Sequence, residues 1–315
     1  MATSGSVNFA VTRDEIIKYA LINVGGIGEG VTPSATSVTD AAFYLNMIMK
    51  AWHNDGMPLW ALKEGYILPI AATNSVSLGP SGGHATLSYT NTTIGADEAI
   101  GQTSITVTSI TGISASDAIG VEQDDGTIHW TTVNGAPSGT TVVLTAALTD
   151  EASAGNHIYA YTTKIQRPLK ILEASLFNST ASTDRPIEVI THEELFSLSD
   201  KTSEGDPLKL WYNPQLTQGV ATIWPRFENG DSVIKIWFHR PFEDFDASTD
   251  NPDCPQEFYM ALVWQLSWAI SPGWGLPLDE RRMFLQEAEK LKQEALSFVM
   301  EEGSLRISPN TRPYG

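Results

Sequence analysis

The sequence predicts an α+β protein: a helical body, made of an N-terminal helical hairpin and long C-terminal helices, with a β hairpin and an inserted all-β barrel or sandwich domain. Three observations predict it. Capped segments with helical apolar periodicity stand near both ends of the 315-residue chain, residues 71–162 contain no Lys or Arg, and short period-two runs separated by Gly and Asn fill that stretch. The expected division is 1–70 for the helical hairpin, 71–162 for the insertion, 163–302 for the rest of the body, and 303–315 for an extended tail.

Thr12-Arg13-Asp14-Glu15 is a capping box, in which a hydroxyl and a carboxylate satisfy the free amides of a helix start. The helix that follows carries Ile16, Ile17, Tyr19, Ala20, Leu21 and Val24 at helical spacing and stops at Gly25-Gly26. A second helix is predicted from Asp40 to Trp52, with Ala41, Leu45, Ile48 and Trp52 on one stripe. Inside the insertion, residues 104–108 and 128–133 alternate as half-buried strands, and 140–145 and 157–161 are shorter candidates. Thr191-His192-Glu193-Glu194 caps another short helix through Leu198, preceded by a strand-like run from Ile187 to Ile190. Residues 219–227 and 232–240 flank Glu228-Asn229-Gly230-Asp231, which predicts a hairpin because Asn-Gly tolerates the positive φ of a tight turn. Pro255 opens a very apolar helix to about Ile270, and Leu278 to Glu301 forms a long amphipathic one through Phe284, Ala288, Leu291, Ala295 and Phe298.

Composition narrows the function. Nineteen Lys and Arg against thirty-seven Asp and Glu give a formal charge of −18, unsuited to gripping phosphate backbones or anionic lipid. The apolar stretch from Phe258 to Leu278 is interrupted by Pro272-Gly273, so no membrane span is expected. The N-terminus shows neither the basic start nor the apolar run of a secretion signal. A single cysteine, Cys254, leaves no disulfide within the chain.

Motifs of catalysis fare poorly. Gly25-Gly26-Ile27-Gly28-Glu29-Gly30 follows a helix where a phosphate loop follows a strand. Gly79-Pro80-Ser81-Gly82-Gly83 matches a nucleophile elbow only if a strand precedes it and a helix follows. His192-Glu193-Glu194 lacks the second histidine of a zincin helix, since Phe196 stands there. His84, His129 and His157 read as strand-surface residues, with a shared metal as the other reading. Glu243, Asp244, Asp246, Asp250 and Asp253 read as a solvated acidic loop, not a calcium loop. The expectation is therefore no catalytic residue, no cofactor and no metal.

Asp14-Glu15-Ile16-Ile17, Ala20-Leu21, Ala41-Ala42, Leu45, Met49 and the run Ala51-Trp52-His53-Asn54-Asp55-Gly56 resemble the opening hairpin of head-to-tail adaptor proteins of short-tailed bacteriophages. Gly205-Asp206-Pro207, Trp211-Tyr212-Asn213-Pro214-Gln215, Ile223-Trp224-Pro225, Arg240-Pro241-Phe242 and Cys254-Pro255-Gln256-Glu257 look like the adaptor and tail tubular protein A group. The resemblance implies a structural virion protein of the neck, assembled in the host cytoplasm. It implies a ring of identical copies, dodecameric to match the portal, bound to the portal protein on one face and the tail nozzle or tube on the other. A tail fibre is a further partner, and genomic DNA would pass through the lumen without specific binding. On that view Arg306, Ile307, Pro309, Arg312 and Tyr314 contact the portal, and Leu45, Met49, Trp52, Phe284, Leu291 and Phe298 form the inter-subunit wall. Two other readings remain open: a virion-associated peptidoglycan hydrolase using two carboxylates, and a glycan- or fibre-binding module built on residues 71–162.

Overall fold

The computed structural model describes residues 5–53, 59–70, 73–178, 181–228 and 230–299. The chain divides into two compact units, residues 1–61 with 242–315 and residues 62–241. The expected helical body is corrected: fourteen strands stand against five α-helices among the described residues, and the strands of 163–241 group with the insertion, not with the helices.

In the first unit, α1 (Arg13–Asn23) and α2 (Ala35–Trp52) precede α4 (Tyr259–Ile270) and α5 (Leu278–Val299). The capping box of α1 is made in full: Thr12 accepts from the Glu15 amide, and the Glu15 carboxylate accepts from the Thr12 amide at 2.8 Å. α2 starts five residues before Asp40, because Ser34 caps it by accepting from the Ser37 amide. α4 packs against α1, α2 and α5, so it needs apolar residues around its whole circumference. Ile16, Leu21, Leu45, Met49, Trp52, Phe258, Leu262, Leu266 and Phe284 form the core.

The second unit has two β bodies. The larger is an eight-stranded sheet whose strands are, in spatial order, β2 (Ser75–Leu78), β13 (Gly219–Trp224), β12 (Lys209–Asn213), β11 (Thr183–Val189), β10 (Lys170–Asn178), β14 (Ser232–His239), β1 (Leu62–Ile67) and β3 (Ala85–Thr86). Its two edge strands, β2 and β3, are joined by one short turn, so the sheet curls until its edges nearly meet. Every strand contributes to the enclosed core, which includes Ile67, Val76, Ala85, Leu176, Ile187, Leu210, Ile223 and Phe238.

The smaller body is all β and runs from Thr90 to Tyr161; residues 75–86, expected in the insertion, belong to the larger sheet instead. β4 (Thr90–Thr93), β9 (His157–Tyr161), β6 (Ala118–Glu122) and β7 (Ile128–Thr132) make one sheet, and β5 (Ser104–Thr106) and β8 (Thr141–Val143) another. Single bridges Ile94 to Val107 and Val133 to Leu144 link their ends, closing a six-stranded ring around Ile105, Ile119, Val121, Val142 and Ile158. The tyrosines Tyr159 and Tyr161, with Leu68 and Val233, form a small core of their own.

The Asn-Gly hairpin is also corrected. β13 pairs with β12 and β2, while β14 pairs with β10 and β1, so the two runs flanking residues 228–231 are not partners. The backbone of Gly230 is instead held by the insertion: its N–H donates to Glu122 at 3.0 Å, and its carbonyl accepts from the Tyr159 hydroxyl at 2.5 Å.

Candidate functional surfaces

The motif candidates resolve into structural roles. The Gly79–Gly83 segment turns from β2 into β3, so no helix follows Ser81 and the nucleophile-elbow geometry is absent. Gly26 lies against the Trp274 ring, where a Cβ would come within 3.0 Å, and the loop serves helix packing. His192 begins α3 (His192–Ser197), whose capping box between Thr191 and Glu194 is complete. His84 hydrogen-bonds the Tyr161 hydroxyl through Nδ1 at 2.9 Å, whereas His129 faces Thr149 and His157 lies near Tyr159. Among the described residues no group of three His, Cys, Asp or Glu could hold a metal ion.

The acidic loop is self-stapled. Asp250 accepts from the amides of Asp246 and Ala247, Asp253 accepts from the amide of Glu243, and Asp244 pairs with Lys50 at 2.6 Å. Carboxylates used this way fix a loop that no regular ladder supports. Cys254 lies beside this loop, and burial, reinforced by Asp253 and Glu257, pushes its thiol well above the usual range. It is held in its inert, protonated form.

The residues expected in an inter-subunit wall divide sharply. Leu45, Met49, Trp52 and Phe284 are buried in the core of their own unit, and Leu291 packs partly against it. Helical spacing identified the buried stripe correctly, but a side chain that fills its own core has no surface for a neighbour. Phe298 is 86 % exposed. The portal-contact residues Arg306, Ile307, Pro309, Arg312 and Tyr314 lie outside the described residues, as does the Asn54-Asp55-Gly56 end of the hairpin motif.

The opposite face of α2 was missed by sequence reasoning. Phe43, Tyr44 and Met47 are all exposed, Phe43 to 64 %, and the Phe43 and Tyr44 rings meet edge to face at 6.0 Å. Phe43 and Tyr44, with Asp40, Pro272 and Trp274, border a cleft of about 470 Å³ in the helical unit. Large apolar side chains clustered on a surface mark contact with another molecule more often than chance exposure does. The signal was legible in Phe43-Tyr44, since α2 carries more large apolar residues than one stripe can bury.

No family model matches this chain, and no curated protein matches it. Among solved structures, the Gp54 tailspike of Acinetobacter baumannii bacteriophage AP22, solved in complex with A. baumannii capsular saccharide, is similar over a short stretch. The likeness is 19 % identical with a TM-score of 0.23, and covers 25 % of this chain and 16 % of the tailspike chain. A likeness that slight says nothing about the fold or the chemistry of this chain.

Proposed function

We propose that this chain is a structural virion protein, a head-to-tail adaptor that works as a ring of identical copies between portal and tail nozzle. The observation that carries the reading is the exposed aromatic face of α2 in the same hairpin whose sequence resembles that family. A closed ring requires two different side faces, each complementary to the neighbour's opposite one. Phe43, Tyr44 and Met47 on α2 supply one apolar face, and the exposed Met283 and Phe298 on α5 supply material for the other.

The charge agrees with this role. A formal −18 on each copy lets a channel of many copies repel DNA instead of retaining it. The self-stapled acidic loop and the inert thiol are structural, so the chain acts by surface complementarity and the mostly-β second unit is carried along as a further contact surface.

Mass measurement of the purified chain, alone and with purified portal protein, tests the proposal. The expected result is a ring, formed freely or on the portal, that is lost in the double variant F43E/M47E while its thermal unfolding is unchanged. A wild-type chain that stays monomeric with the portal present, or a double variant that assembles normally, would refute it.

A further inference from the structure

The outer face of the eight-stranded sheet carries a feature separate from the aromatic face of α2. On β14, Ile234, Ile236 and Phe238 turn into the core, so Lys235 and Trp237 turn the other way. Trp237 is 38 % exposed and stands directly between Glu64 on β1 and Glu173 on β10, its register partners on the two neighbouring strands. With Ser175, Asp184 and Lys235 these residues line a cleft of about 250 Å³ lying entirely within the second unit.

The polar groups around the ring are unequally engaged. Lys235 pairs with Asp184 at 2.9 Å and stands 4.9 Å from the Phe177 ring centre, and the Tyr66 hydroxyl donates to Glu64. Among the described residues, the Glu173 carboxylate and the Trp237 indole N–H have no hydrogen-bond partner. The cleft thus presents a flat aromatic surface, an unengaged acceptor on one side, a half-engaged acceptor on the other, and a donor at the ring edge.

We propose that this cleft is a binding subsite for a neutral or amino-substituted sugar ring. The apolar C–H face of a pyranose lies on an indole, while its hydroxyls require acceptors and donors at the rim of that platform. Trp237 supplies the platform, Glu173 and Glu64 accept from hydroxyls, and the indole N–H donates. Glu64, Glu173 and Asp184 outnumber Lys235, so uronic and sialic acids are disfavoured. A bare cation would use the two carboxylates and the ring face but leave the indole donor idle, which is why a polyhydroxylated ligand fits better. No bond is broken in this site.

Saturation-transfer NMR on the full chain tests the assignment, with N,N′-diacetylchitobiose and maltose as neutral probes, galacturonic acid as the acidic one, and arginine amide as a cation. Transfer to a neutral probe and none to galacturonic acid is expected. W237A should abolish it, and E173Q should weaken binding about tenfold, the loss of a hydrogen bond to a charged group. If W237A fails to fold, as judged by near-ultraviolet circular dichroism, then W237F, which keeps a ring but no donor, should retain weakened binding. No transfer to either neutral probe, transfer to arginine amide alone, or binding unchanged in E173Q would overturn the proposal.

Discussion

His84 lies flat on Trp130, with ring centroids 3.7 Å apart and only 10° between the ring planes. The indole N–H donates to the Pro69 carbonyl at 3.1 Å, and Gly120 on β6 leaves room for the ring, since a Cβ there would come within 2.8 Å of it. Burial, with a smaller contribution from the Lys164 ammonium, lowers the His84 pKa from 6.5 to about 4, and burial raises the Tyr161 hydroxyl that bonds it to about 12. Both groups are held neutral.

A pH dependence follows from that stack. The unfolded chain takes up a proton on His84 near pH 6.5 and the folded chain only near 4, so between those values the unfolded state binds more protons. The contribution of neutral His84 to stability is then complete above pH 6.5 and is lost as pH falls toward 4. His239, also lowered by burial and by Arg240, acts in the same direction. Urea midpoints at pH 7 and pH 5 should differ, with His84 contributing on the order of 1 kcal/mol. The variant H84Q should narrow the difference, and an equal difference in wild type and variant would remove His84 as its cause.

Gly65 on β1 tests the curled sheet. Its backbone is not in the left-handed region, so the constraint is space alone: a Cβ would sit 2.9 Å from Cε1 of Phe238 and 3.4 Å from the Thr86 carbonyl. G65A should destabilise by about 1–3 kcal/mol, the usual cost of overfilling a packed core. Shortening the obstructing ring in G65A/F238L should recover part of the loss, read as a coupling in a double-mutant cycle by urea unfolding.

Those two sites show what the sequence makes legible. Thr12 and Thr191 announce their helices because a capping box is a local device, complete within four residues. The insertion strand β5 announces itself because the buried Ile105 and Val107 alternate with Ser104, Thr106 and Thr108. β1 and β11 do not. Lys63, Glu64 and Gly65 interrupt any alternation in β1, and in β11 only Ile187 is buried, so a polar strand held by its neighbours carries no period-two pattern. With β1 and most of β11 unseen, the large sheet reads as one hairpin beside a stray strand end, and the helices appear to dominate. The Glu64, Trp237 and Glu173 row depends on register across three strands distant in sequence, which spacing within a segment cannot reveal.

Trp52 joins α2 to α4 and α5. Its indole N–H donates to the Gln265 side chain at 2.6 Å, its ring lies 5.8 Å from that of Phe258, and the Lys292 ammonium stands 4.7 Å from its centre. W52F keeps most of the packing but leaves the Gln265 carbonyl without its donor, and should cost about 1–3 kcal/mol. W52F/Q265L removes both polar partners and should be closer to wild type than W52F alone. Denaturant unfolding of the four proteins measures this, and strict additivity would deny the hydrogen bond a role.

Glu122 on β6 is the residue that redirects the Asn-Gly turn. One carboxylate oxygen accepts from the Gly230 amide at 3.0 Å and the other from the His157 amide at 2.9 Å, so a single side chain ties the small β body to the start of β14. Backbone donors left without acceptors away from water are costly, and E122A strands two of them together. A loss of about 3 kcal/mol is expected, with faster amide exchange at Gly230 and His157 than at the core of β10. E122Q retains one acceptor oxygen, so it should protect one of the two amides and lose the other. Y159F removes the donor to the Gly230 carbonyl on the same turn, and its effect should couple to that of E122A because both act on one peptide segment. Exchange at Gly230 that is indifferent to both variants would mean the turn is held by something other than the insertion.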